Sequence, residues 1–155
     1  MQGMQGVTVE AWIKPASFKE SVVVRSVGAS GEERLLFDML ADGSFCFQIT
    51  AGEVDYAVVS APGILSENSW QHVAGVFGPK GLFLYIDGQL VAARKKERVP
   101  WPDIAGFFGR LGIGAYVRKN DLGSTGLFFD GQIDEVRMTG RELAPAEFLS
   151  GGSRC

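Results

Sequence analysis

The stretch "YIDGQLV", Tyr85 to Val91, carries the strongest hairpin signal in the chain and orders everything around it. Asp87-Gly88 stands between two runs of β-forming residues, the arrangement of a tight two-residue turn. Upstream, "GLFLYID" is joined to "WQHVAGVF" through Gly78-Pro79-Lys80-Gly81; downstream, "QLVAA" completes the hairpin. Further back, "VTVEAWIKP" alternates, with Val7, Val9, Ala11 and Ile13 on one face and Thr8, Glu10, Trp12 and Lys14 on the other, until Pro15 stops it. "SVVVRSVG", "RLLFDML" and "SFCFQITA" follow, the last two joined by Asp42-Gly43, and then "VDYAVVS".

Beyond the hairpin comes the least regular stretch, "RKKERVPWPDIAGFFGR". "LGIGAY" resumes strand character, a loop "VRKNDLGSTG" intervenes, and "LFFDGQIDEVRM" closes the sheet region. Only "APAEFLS" predicts a helix, and a short one. About ten short strands with frequent turns predict an all-β antiparallel sandwich or barrel with one short C-terminal helix. With no linker or long repeat, residues 1–155 are expected to form a single domain.

Composition narrows the function. The charged fraction is 21% and the net charge −3, which argues against a nucleic-acid binder, since that class carries a basic face. No apolar run reaches the roughly 18 residues of a membrane span. "MQGMQGVTVEAW" has neither the basic start nor the apolar stretch of a signal peptide. No Cys-x-x-Cys occurs, so a zinc ribbon is not expected. Cys46 is expected to be a buried small hydrophobe and Cys155 a free tail thiol.

The closing strand holds a phase problem. Ile133 has the opposite parity from Val136 and Met138, so a regular strand would point apolar groups both ways. Either both faces are covered or a bulge near Asp134-Glu135 resets the phase. Cover on both sides is the preferred reading.

Taken together, "VTVEAWIKP", "WQHVAGVF", "LYIDGQLV", "LGIGA" and "FDGQIDEVRMTGRELAPAEF" resemble, in order and spacing, the laminin G-like branch of the concanavalin A-like lectin/glucanase superfamily. The resemblance covers residues 7 to 149. It implies a jelly roll of two curved antiparallel sheets, glycan or protein binding, frequent calcium and an extracellular or cell-surface setting. Family domains usually begin with an extra strand beside the final one, and only about six residues precede Val7. The strand Phe129 to Thr139 is therefore expected to have an open edge. A homodimer through that edge, or a trimmed N-terminus, is the expectation.

Catalysis finds little support. Glucanases of the superfamily place two carboxylates as Glu-x-Asp-x-x-Glu, about 5 Å apart; that motif is absent. Asp130 and Asp134 would lie roughly 13 Å apart along a strand, too far for a retaining pair. His72 is the only histidine, no Gly-x-Ser-x-Gly elbow accompanies it, and it reads as structural.

Binding has more candidates. Calcium needs six to eight oxygens, and Asn120, Asp121, Asp130 and Asp134 could converge at one rim; the metal set is Asp121, Asp130 and Asp134. For a glycan, Trp101 between two prolines is the best stacking residue, with Phe107 and Phe108 behind it and Asn120 as a polar partner. An anchor over the core is the weightier reading of Trp101. Trp12 and Trp70 are expected in the core. Arg94, Lys95, Lys96 and Arg98 could attract sulfated glycans, but read first as a solvated edge. The sequence thus points to a non-catalytic recognition module for carbohydrate or a glycosylated protein, with calcium as a candidate assisting ion. The alternative is a self-associating assembly module; a glycoside hydrolase is a distant third.

Overall fold

Both central residues of the Asp87-Gly88 turn have positive φ, 50° and 77°, the pairing that defines a type I′ turn and matches strand twist. The turn joins β7 (Gly81–Ile86) to β8 (Gln89–Lys95), with Ile86 opposite Gln89. The computed structural model describes residues 6–28, 33–51, 54–95, 110–114 and 128–149. Within them lie ten strands in two five-stranded sheets.

The first sheet runs, edge to edge, β10 (Gly131–Thr139), β1 (Val7–Pro15), β6 (Gln71–Gly78), β7 and β8. The second runs β5 (Val54–Val59), β4 (Phe45–Ala51), β3 (Glu33–Met39), β2 (Ser21–Val27) and β9 (Arg110–Ile113). Every neighbouring pair is antiparallel. The chain changes sheet after β1, β5, β8 and β9, which closes the sandwich of the expected jelly roll.

Period-two alternation sends one side chain in two to the core. Val9, Ala11 and Ile13 from β1 meet Phe37, Phe45, Phe47 and Ile49 from the second sheet, all fully buried. Phe37 makes edge contacts with Phe45 and Phe47, ring centroids 4.5 and 6.0 Å apart. Gly75 lets the sheets approach: a Cβ there would come within 2.7 Å of the Phe47 ring.

The phase problem is resolved by a bulge, correcting the preference for cover on both sides. Arg137 lies opposite Glu10 and Asp134 opposite Trp12, so β10 spends one residue more than β1 between them. Glu135 has φ 49°, and its N–H donates to Asp134 Oδ1 at 2.8 Å. One extra residue in a left-handed conformation resets the parity, and Ile133, Val136 and Met138 all pack on the core.

Other details also differ from expectation. Trp12 is half-buried on the face of β1 that points away from the sandwich interior, and Trp70 is half-buried just before β6. Cys46 is a free, half-buried cysteine paired with Asp38 on the outer face of the second sheet. Burial, and then the Asp38 charge, push its thiol up to about 11. Asp38 in turn holds Arg25, whose Nε and Nη2 donate to it at distances down to 2.5 Å. The C-terminal helix is a single 3₁₀ turn, Pro145–Glu147.

Candidate functional site

Thr8, Glu10 and Trp12 point away from the core, yet Thr8 and Glu10 are fully buried. Their cover is the segment after β10, residues 141–149, which crosses the outer face of the first sheet as a strap. The Thr8 hydroxyl donates to the Arg141 carbonyl (2.8 Å) and accepts from the Leu143 N–H (3.0 Å). Glu10 ties down the far end: Oε1 accepts from the Leu149 N–H (2.6 Å) and lies 2.9 Å from His72 Nε2. Oε2 accepts from Arg137 Nε (2.9 Å) and Nη2 (2.6 Å), and Arg137 Nη2 also donates to the Glu147 carbonyl (2.9 Å).

Burial pushes the Glu10 carboxyl upward. The hydrogen bonds from His72, Leu149 and Arg137, with the Arg137 charge, outweigh it and hold the group below the usual carboxylate range. Glu10 is therefore a structural anion bridging β1, β6, β10 and the strap. It is not available as a general acid. His72 is buried, at 3% exposure, with its Nε2 held against Glu10.

The strap does not lie flat. Between it and the Asp87-Gly88 turn runs an open groove of about 370 Å³. Its floor is Trp12 and His72, one wall is the turn, and the other is formed by Pro145, Ala146, Phe148 and Leu149. Phe148 stacks on the His72 ring at 5.4 Å and meets Tyr85 edge-on at 5.3 Å. Trp12 meets His72 edge-on at 5.4 Å. Asp87 is locked to β6: its N–H donates to the His72 carbonyl (2.8 Å), and its Oδ1 accepts the His72 N–H (2.9 Å). Aromatic surfaces beside one carboxylate suit a ligand that is apolar on one face and hydroxylated at its rim.

Of the expected site residues, the structure describes only Asp130 and Asp134. Trp101, Phe107, Phe108, Asn120 and Asp121 lie outside the described residues, as do Lys96 and Arg98. Asp130 accepts from the Ser17 hydroxyl at 2.5 Å, at the entry to β10. Asp134 sits further along, beside the bulge. Among the described residues no group of three or more His, Cys, Asp or Glu is placed to hold a metal ion; Asp121, the third member of the expected calcium set, lies outside them. Arg94, from the basic run, lies over the Tyr56 ring at 5.5 Å. The groove residues Trp12, Asp87 and Phe148 were missed; the one available signal was that Trp12 shares parity with Glu10 and not with the core.

Two antiparallel sheets with this strand order, and an open aromatic groove on one outer face, define a jelly-roll module of concanavalin A-like type. The sequence matches a laminin G-type model of the concanavalin A-like lectin/glucanases superfamily over residues 1–148, and the chain belongs to that family. No curated protein sequence matches.

Solved structures of similar fold include the CBM40 of the Ruminococcus gnavus IT-sialidase bound to α2,3-sialyllactose. Its TM-score is 0.73 at 18% identity, over 92% of this chain and 80% of that one. Mouse laminin α1 domains LG4-5 give 0.66 at 14% identity, over 95% of this chain and 39% of that one. A heptameric SAP-like pentraxin from Limulus polyphemus gives 0.64 at 14%, over 91% and 66%. At these identities the likeness is one of fold. Among the described residues no helix is long and apolar enough to cross a membrane.

Proposed function

We propose that this chain is a non-catalytic carbohydrate-recognition module working outside the cell or at its surface. The observation that carries the reading is the groove between the strap and the Asp87-Gly88 turn. It offers the half-buried faces of Trp12 and Phe148 beside the Asp87 carboxylate, the one acid among its described lining residues, which is the equipment for holding a sugar ring. The reading is supported by family membership and by a fold neighbour bound to α2,3-sialyllactose.

The test is a glycan array probed with the purified chain, followed by titration of any hit. Phe148→Ala removes one stacking surface and is expected to weaken binding about tenfold, roughly 1.4 kcal/mol. A chain that retains no glycan on the array would overturn the reading.

Calcium assistance is a separate proposal that rests on the family resemblance. If an ion binds, a melt of chelator-treated protein moves up by several degrees with calcium at about 100 times its dissociation constant. An unchanged melt removes the ion from the account.

A further inference from the structure

The charge of the groove points to the class of sugar it takes. We infer that the ligand is an uncharged glycan, held against Trp12 and Phe148 with its hydroxyls on Asp87, and that acidic sugars such as sialic acid are disfavoured there. The inference deepens the carbohydrate reading and rests on it.

A carboxylate on a sugar is normally met by arginine, lysine or a cluster of N–H donors. Among the described residues that line the groove, none is a lysine or an arginine. Beneath the floor, Glu10 and Arg137 face each other as an ion pair and largely cancel, so they lend the groove little net charge. Asp87 is the one acidic residue among the described lining residues and sets their sign. Its Oδ1 is engaged by the His72 N–H, and among the described residues Oδ2 has no hydrogen-bond donor, leaving it to accept from a ligand. A carboxylate accepts well from neighbouring sugar hydroxyls, and their polarity is the match for a site with a negative wall and apolar faces. A sugar carboxylate brought beside Asp87 meets like charge, and because Asp87 is exposed, water screens the repulsion to a modest level.

The turn also makes the carboxylate a fixed one. Asp87 holds φ 50° and is bonded to β6 through both its N–H and Oδ1, so it cannot swing away to admit an anion.

The experiment is an array carrying neutral oligosaccharides each beside its sialylated counterpart, lactose and 3′-sialyllactose among them, at low salt. The wild-type chain is expected to bind neutral members, with sialylated counterparts about fivefold weaker. Asp87→Asn keeps an acceptor and tolerates the left-handed turn; it is expected to weaken neutral ligands and to narrow the gap to the sialylated ones. Equal or better binding of the sialylated members by wild type overturns the inference while leaving the carbohydrate reading intact. So does neutral binding that neither Asp87→Asn nor Phe148→Ala alters, because the site would then lie elsewhere. Binding of no glycan at all overturns both.

Discussion

At the scale of single residues, Glu10 controls the most. It is fully buried, accepts from three parts of the chain, and its folded-state carboxyl sits below the ordinary value of 4.5. A depressed pKa means that the folded state favours the charged form. The stabilisation is therefore complete above about pH 4.5 and is lost as pH falls through the folded value. Glu10→Gln is expected to lower stability by about 1–3 kcal/mol at pH 7, since the amide has one acceptor oxygen in place of two and either Arg137 or the Leu149 N–H then faces an NH2 donor. The magnitude stays at that modest level because the Arg137 side chain is 38% exposed and water screens its charge. Denaturant melts at pH 7 and pH 3.5 check both statements: the gap between wild type and Glu10→Gln should shrink at the lower pH. A constant gap would mean that Glu10 acts through packing and not through its charge.

At the scale of elements, local chemistry made some features legible and left others hidden. Asp87-Gly88 and Asp42-Gly43 announced their turns because positive φ is a property of the residues themselves. The bulge at Glu135 did not announce itself, since a parity break looks the same whether a strand is bulged or covered on both sides. Trp12 could be assigned to a face, but what covers that face is the strap, more than 120 residues later. The groove was unreadable for the same reason: its two walls are the β7–β8 turn and residues 145–149, which no short window contains.

Sheet-to-sheet contact is similarly non-local. Gly75 and Phe47 come from different sheets, and Gly75→Ala forces the ring out of a close-packed position. The expected cost is about 1–3 kcal/mol, read from the denaturant midpoint at unchanged slope.

At the scale of the whole molecule, β10 is an edge strand of the first sheet among the described residues. The edge is not an inviting one. The bulge breaks its ladder, and Asp134 and Glu135 are both exposed beside it, devices that oppose pairing with another chain. In an antiparallel pair related by a two-fold axis through this region, the acids of one copy would meet those of the other. Light scattering at tens of micromolar is therefore expected to give the mass of a monomer, 16.7 kDa. A stable dimer that Asp134→Asn and Glu135→Gln strengthen would show that the edge pairs in spite of its acids.

The strap has a consequence in time as well as in space. Glu10 waits for Leu149, so the two β-sheets can assemble before the outer face of the first is finished. During synthesis the early strands emerge long before the residues that close over them, and until then a carboxylate and two aromatic rings lie open to water. The groove is thus complete only once residues 145–149 have closed over β1 and β6, after the strands beneath them are laid down.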